Sequence, residues 1–371
     1  MPERTRVGFA RRDLPTEAND GAPDQGASDG AVRLADDTVA AMIPERPVRG
    51  HKGSFGKLLV IAGSLDYAGA ALLVCRAAGR SGVGLVTLAI PESLQPLFAA
   101  KVLEATTMAL PEDDVEEIDP EPAMARILDH EHEAIVVGPG LRPGLATTEL
   151  VRSLLPVSSE TDAAPIVLDA EALRSMATMD GWWEGERRPA VLTPHAGEFA
   201  RLRAGSGDQP SDDGDLEGDD AARLAAALDA AKLWRSVVVL KGARTVIAAP
   251  DGSAAVAPFE NPALATGGTG DVLAGTIGAL LAQGLAPYIA AQLGVYLHGL
   301  AGELARDRFG DAGVLASDLP DGLAAARKRL VALADRRKAT KRLGFAARDS
   351  APTPVAPALA PPGARPPGDL S

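Results

Sequence analysis

Six short apolar runs recur along this chain: KLLVIAG (57–63), GLVTLAI (84–90), EAIVVG (133–138), PIVLDA (165–170), AVLT (190–193) and SVVVLKG (236–242). Within them polar residues do not alternate with apolar ones, so the strand that each predicts has two dry faces. Stretches of helical length lie between them, AGAALLVCRAAGRSG (68–82) and DDAARLAAALDAAKLW (219–234) among them. Strands buried on both sides and separated by helices fit a mostly parallel sheet with helices packed on either face. RTVIAAP and SAAVAP read as a hairpin turning at PDG, and two long helices follow at about 270–283 and 286–306. No internal repeat of solenoid length is present.

The core of such a sheet must be aliphatic here, because 46% of the residues are hydrophobic and only 4% aromatic. A length of 371 residues suits one large domain or two small ones. The net charge of -13 argues against nucleic acid as a partner, since phosphate backbones need clustered Lys and Arg. A small anionic ligand stays open, because backbone amides hold phosphate without a basic patch. The single cysteine, Cys75, permits no internal disulfide or thiolate cluster and reads as a small buried hydrophobe. The first twenty residues contain no apolar signal core, and the longest apolar stretch, 272–286, is too short to span a bilayer. A soluble, cytoplasmic protein is expected. Three segments lack core-forming residues: an acidic N-terminal tail (1–44), an acidic surface insert (205–220) and a Pro/Ala-rich C-terminal tail (336–371). Both tails are expected to be disordered, with 1–40 dispensable for activity, leaving 45–335 as the folded domain.

Each strand is followed by glycine or by polar residues: GSLDYAGA, PGLRPG, EAL, PHAGE, ARTV and, after the hairpin, NPALATGGTGD. In a parallel sheet these segments share one edge, where such folds bind ligands. The expected cleft is ringed by Asp169, His195, Glu198, Lys241, Asn261 and Asp271. The glycine loop lacks the Lys of a Walker A motif and the third glycine of a dinucleotide fingerprint. It keeps the physics of an anion hole: Gly267, Gly268, Thr269 and Gly270 bring free amides and a helix N-terminus toward a phosphate. Asp271, at the same helix start, is expected to stay ionised at neutral pH and to act as the base of a phosphoryl transfer. A plain glycine turn with Asp271 as a helix cap is the simpler alternative. His195 and Glu198 have no second His at ligand spacing, so zinc is not expected. Glu198 reads either as a carboxylate orienting magnesium through water or as part of a cap. Lys241 faces phosphate or snorkels to the surface, and Asp169 could cap the next helix. His130 and His132 sit in an acidic surface run, and His298 reads as a core residue.

Several ordered blocks, HKGSFGKLLVIAGS, YAGAALL, RSGVGLVT, GPGL, VLDAEAL, LTPHAGEF, VLKGARTVI, NPALATGGTGDVLAG and YLHGLAGE, resemble the ADP- or ATP-dependent NAD(P)H-hydrate dehydratases of the ribokinase-like superfamily. The resemblance spans about 45–335. It implies a three-layer α/β/α fold and a hydro-lyase that repairs the (6S) hydrates of NADH and NADPH (NADHX and NADPHX). ADP, or ATP in some members, would phosphorylate the ring hydroxyl with magnesium present, and loss of phosphate would restore the double bond, leaving AMP and phosphate. Carried onto this sequence, Ala70, Gly140, His195 and Asp271 would contact the hydrated cofactor. Lys241, Gly242, Ala243, Arg244, Thr245 and Gly270 would hold the adenine nucleotide, with Asp271 as base. Glu198 matches the acidic member of the superfamily's metal-associated motif. The resemblance further implies a homo-oligomer, a tetramer being one form, and a separate epimerase as functional partner. A kinase of the same fold acting on a hydroxymethylpyrimidine or hydroxyethylthiazole, and a nucleotide sensor without catalysis, are the competing readings.

Overall fold

The computed structural model describes residues 30–157, 163–206, 216 and 218–349, from 337 onward as backbone only. Twelve strands form among these residues: β1 (Val32–Arg33), β2 (Lys57–Ile61), β3 (Leu85–Pro91), β4 (Thr106–Leu110), β5 (Glu112–Asp114), β6 (Glu117–Ile118), β7 (Ala134–Val137), β8 (Ile166–Leu168), β9 (Ala190–Leu192), β10 (Val237–Leu240), β11 (Val246–Ala248) and β12 (Ala254–Val256). Eleven helices accompany them: α1 (Asp36–Ala40), α2 (Ala68–Arg80), α3 (Gln95–Ala99), α4 (Pro120–Asp129), α5 (Leu145–Leu154), α6 (Glu171–Met176), α7 (Ala196–Gly205), α8 (Asp220–Trp234), α9 (Thr269–Ala282), α10 (Pro287–Phe309) and α11 (Leu319–Asp349).

Ten strands make one sheet in the order β1-β12-β11-β10-β9-β8-β7-β2-β3-β4. Only β11 runs against its neighbours, as the first arm of the expected hairpin with β12. Successive residues of each buried strand feed opposite faces. Leu58 and Val60 of β2 join one core with α1, α2, α9, α10 and α11, while Leu59 and Ile61 join the other with α4 to α8. Both faces being covered explains why the runs show no alternation. The long glycine-bearing helix is central: α9 lies so close to the sheet that a Cβ at Gly278 would stand 2.2 Å from Val136. The strand order reverses between β7 and β2, because β2 leads outward to β3 and β4 while β7 leads through β8 and β9 to β10. A crevice at the carboxyl ends of the strands is expected at such a point.

The tail boundaries differ from those expected. β1 pairs in parallel with β12, and Leu34 and Val39 are core residues, so order begins well before 45. A sheet edge and an uncovered patch of α10 and α11 supply what this short polar-flanked segment lacks by itself. α11 likewise runs on to Asp349, past the expected end at 335. Residues 1–29, 350–371 and most of the acidic insert (207–215 and 217) lie outside the described residues. Cys75 is buried, and burial pushes its thiol up to about 12, in keeping with an inert core residue.

Candidate active site

All six polar segments meet at the carboxyl edge of the sheet. Their chemistry centres on Lys241, which ends β10. Its backbone N–H donates to the Pro194 carbonyl at 2.8 Å and forms an isolated parallel bridge with His195, so the sheet extends one step past β9 and β10. Its ammonium lies 2.9 Å from Asp169 Oδ1 and 3.7 Å from Glu198 Oε2. Burial works against the Lys241 charge, but Asp169 and then Glu198 more than offset it and hold the pKa above the ordinary lysine value. This lysine does not snorkel to the surface. A Cβ on Gly270 would stand 3.5 Å from its Nζ, so the ammonium faces the first turn of α9.

That turn carries Asp271 at its third position, behind Gly268 as the N-cap with φ +92. The leading amides of a helix have no carbonyl of their own helix to bond; here Thr269 N–H donates instead to the Thr266 carbonyl at 3.3 Å, which leaves the amides of Gly270 and Asp271 as the ones able to receive an anion. Thr269 Oγ1 ties the loop back on itself by donating to the Leu264 and Thr266 carbonyls at 2.8 and 3.0 Å. His298 of α10 supports the turn from below, its Nε2 2.9 Å from the Thr269 carbonyl. Burial pushes His298 down to about 4, so the neutral ring donates this bond.

The expectation that Asp271 is fully ionised at neutral pH is corrected. Burial first, and the charge of Asp169 second, push it up to about 7 against the pull of Lys241. The helix dipole favours the carboxylate, but partial burial with a like charge nearby weighs more. A base with this pKa is half ionised at neutral pH and can still take a proton from a hydroxyl.

His195 and Glu198 form a reciprocal cap on α7. His195 Nδ1 accepts from the Gly197 N–H at 3.1 Å, and Glu198 Oε2 accepts from the His195 N–H at 2.9 Å. Glu198 Oε1 lies 3.6 Å from His195 Nε2. Glu198 thus makes the cap and also lies 3.7 Å from the Lys241 ammonium. Among the described residues no three His, Cys, Asp or Glu side chains are grouped to hold a metal.

The other end of the cleft lies at the β2/β7 crevice. A Cβ on Gly140, which has φ +66, would meet the Tyr67 carbonyl oxygen at 2.7 Å and the Ala70 Cβ at 2.9 Å. Ala70 and Gly140 are thus neighbours across the crevice, with the half-exposed Tyr67 beside them. The tip of the β5–β6 hairpin borders them: Leu65 N–H donates to Glu116 at 3.0 Å and Arg142 to the Val115 carbonyl at 3.1 Å.

On the opposite side of Lys241 a cavity of about 460 Å³ opens, lined by the Lys241–Ala243 turn, Thr245, Phe259, Asn261, Gly270 and His298 among others. Its walls are chiefly apolar, as a flat heterocycle requires. Asn261 caps the short turn at Pro262, its Oδ1 accepting from Ala263 N–H at 2.9 Å. Arg244, also at positive φ, is paired with Glu260 and with Asp220 at 3.1 Å.

Two contributors escape sequence reasoning. Arg223 of α8 is buried and donates to the carbonyls of Leu240 and Lys241 at 3.1 and 3.3 Å, bracing the turn from behind. A lone Arg in an otherwise Ala- and Leu-rich helix is the only hint. Thr193 Oγ1 donates to Asp169 Oδ1 at 2.8 Å, and nothing in LTPHAGEF distinguishes it from an ordinary strand end. His130 and His132 lie apart, at the amino end of β7, with rings stacked 6.2 Å apart.

A family model described as NAD(P)H-hydrate dehydratase matches residues 58–324. The bifunctional NAD(P)H-hydrate repair enzyme of Moorella thermoacetica is 41% identical over 286 residues, 76% of this chain and 51% of that one. The ADP-dependent (S)-NAD(P)H-hydrate dehydratase of Bacillus subtilis is 36% identical over 293 residues, 78% of this chain and 96% of that one. A crystal structure of the ADP/ATP-dependent enzyme from Bacillus subtilis, co-crystallised with ATP/Mg2+, matches with a TM-score of 0.67 at 35% identity, covering 82% of this chain and all of that one. A ribokinase-like superfamily protein from Enterococcus faecalis matches with a TM-score of 0.66 at 26% identity, covering 82% and 98%. The chain spans about half the length of the bifunctional relatives.

Proposed function

Since the chain belongs to the NAD(P)H-hydrate dehydratase family, we propose that it repairs hydrated nicotinamide cofactor, using ADP to drive the dehydration of (6S)-NADHX and (6S)-NADPHX. The observation that carries this reading is Asp271, a carboxyl with a pKa of about 7, set at an amide-rich helix start beside the Lys241 ammonium. Hydroxide is a poor leaving group and phosphate a good one. The site accordingly carries what a phosphoryl transfer to a hydroxyl needs.

The adenine nucleotide occupies the apolar cavity beside Lys241–Thr245. Its terminal phosphate points to the amides of Gly267–Gly270 and to the Lys241 ammonium. The hydrated ring lies between Ala70, Gly140 and His195. Asp271 takes the proton of the ring hydroxyl as its oxygen attacks the terminal phosphorus of ADP. The bond to the departing AMP oxygen breaks, and the amides with Lys241 stabilise the charge spreading over the phosphoryl oxygens. Phosphate then leaves the ring carbon, a proton leaves the adjacent carbon, and the ring double bond returns. The products are NADH or NADPH, AMP and phosphate. Magnesium brought with the nucleotide would be oriented through water by Glu198 and would neutralise phosphate charge. On this reading the chain works in the cytoplasm, with an epimerase supplying the reactive epimer.

The test is to mix the protein with hydrated NADH, magnesium and either ADP or ATP, and to follow the absorbance band of the reduced nicotinamide. A nucleotide-dependent rise that is absent in Asp271→Asn supports the reading and identifies the donor. A flat trace beside an active control enzyme refutes it, and a stable phosphorylated alcohol formed from a vitamin precursor would point to the kinase instead.

A further inference from the structure

We propose that Asp169 is a positioning residue of this site: anchored by Thr193, it holds the Lys241 ammonium facing the phosphate loop and keeps it from pairing with Asp271. The inference rests on the phosphoryl-transfer reading above, and one of its tests does not.

Asp169 is 2% exposed, so its charge requires a buried purpose. That purpose is not to cap the next helix. The Ala172 N–H bonds the Asp169 backbone carbonyl at 3.1 Å, and no side-chain cap is made at α6. The carboxylate instead accepts from Thr193 Oγ1 at 2.8 Å and from Lys241 Nζ at 2.9 Å, both on Oδ1. Its Oδ2 faces the α9 turn, 4.0 Å from where a Cβ on Gly270 would be.

The chain accepts unusual backbone geometry to place it. Ala170, directly after it, has φ 49 and ψ −116, a conformation that costs a residue with a Cβ on the order of 1–3 kcal/mol. From β7, Gly138 approaches so closely that a Cβ there would lie 1.9 Å from the Asp169 carbonyl oxygen. Two adjacent loops thus pack against the backbone that carries this carboxylate.

A lysine ammonium is a point charge on a flexible stem and takes whichever partner is nearest. Three carboxylates compete for Lys241: Asp169 after β8, Glu198 on α7 and Asp271 on α9. Of the other neighbours, His298 from α10 is neutral, His195 is held in the α7 cap, and Arg223 from α8 donates to the Leu240 and Lys241 carbonyls. An ion pair with Asp271 would neutralise the base and draw the cation off the phosphate. Asp169, held by Thr193, gives Lys241 a fixed partner between β8 and β10, and Asp271 stays free for the hydroxyl proton.

The experiment compares wild type, Asp169→Asn and Thr193→Val. Aspartate labelled with carbon-13 at the carboxyl carbon reports the Asp271 titration by NMR, with Asp271→Asn assigning the signal. This readout needs no turnover, so it stands even if NADHX proves not to be the substrate. In Asp169→Asn the Asp271 signal titrates at lower pH than in wild type. In turnover assays kcat drops about tenfold or more, within the range of a misplaced proton-transfer site, and the acid limb of kcat/KM moves the same way. Thr193→Val keeps the charge, so its acid limb stays in place while the nucleotide KM rises. A uniform loss of activity with neither titration nor acid limb moved would mean that Asp169 only packs, and would overturn the proposal. Should Asp169→Asn not fold, a Thr193→Val chain with wild-type nucleotide KM would overturn it equally.

Discussion

Replacing Asp271 by Asn separates what this carboxylate does for the reaction from what it does to the fold. Burial and Asp169 hold it at about 7 in the folded chain, against an ordinary value of 3.8. Below 3.8 it is protonated in both folded and unfolded chains and exerts no pH-dependent effect. Between 3.8 and 7 the unfolded chain releases the proton and the folded chain retains it, so stability falls as pH rises. Above 7 the loss is complete and on the order of 4 kcal/mol, at about 1.4 kcal/mol for each pH unit between the two values. Asn resembles the protonated side chain in shape and is neutral at every pH. The variant should therefore be more stable than wild type at pH ~8 by several kcal/mol and by much less at pH ~5. Lys241 keeps Asp169 and Glu198 as partners in the variant, so no unpaired buried charge is created. Turnover should fall by about 10²–10⁴, the range of general-base catalysis, while nucleotide binding stays near normal. Urea unfolding of both proteins at the two pH values, with calorimetric nucleotide titration, measures all of this. A variant less stable than wild type at pH ~8, or a stability difference equal at both pH values, would refute the assignment of a buried, high-pKa carboxylate.

The free enzyme's kcat/KM should lose about tenfold for each pH unit below 7 as Asp271 takes up its proton, and a pH–rate profile checks this. Arg223→Met should raise the nucleotide KM and lower stability by about 2–4 kcal/mol, because the carbonyls of Leu240 and Lys241 lose their buried donor. Steady-state kinetics and denaturant unfolding measure the two effects. Deleting residues 1–40 should destabilise the chain by about 3–6 kcal/mol, contrary to the view of a dispensable tail, since Leu34 and Val39 leave the core. It also removes Asp36, which accepts from Tyr296 at 2.7 Å and from Arg329 at 3.0 Å. Denaturant midpoints of the full and shortened chains decide this.

What the sequence determined by itself was the set of pieces and the edge at which they meet. Strands with two dry faces allow only a sheet covered on both sides, so KLLVIAG, EAIVVG and SVVVLKG already imply their helices. Parallel direction then sends every following loop to one rim, and Ala70, Gly140, His195, Lys241 and Asp271 arrive there together. A glycine loop before an apolar helix announces its anion hole, because small residues and free amides are local properties. Tertiary structure decided what depends on neighbours distant along the chain. Val32 and Leu34 belong to the fold only because β12 and the α10–α11 face are there to receive them. Glu198 caps α7 and faces Lys241, and the second of these contacts is invisible in its local pattern. The Thr193–Asp169–Lys241 chain joins three strand ends that no spacing rule connects. The protonation of Asp271 is likewise a tertiary property: its place at a helix start favours charge, but burial and the charge of Asp169 weigh more. A side chain's position follows from its own segment, whereas its charge state follows from how much water and which other charges the rest of the fold leaves around it.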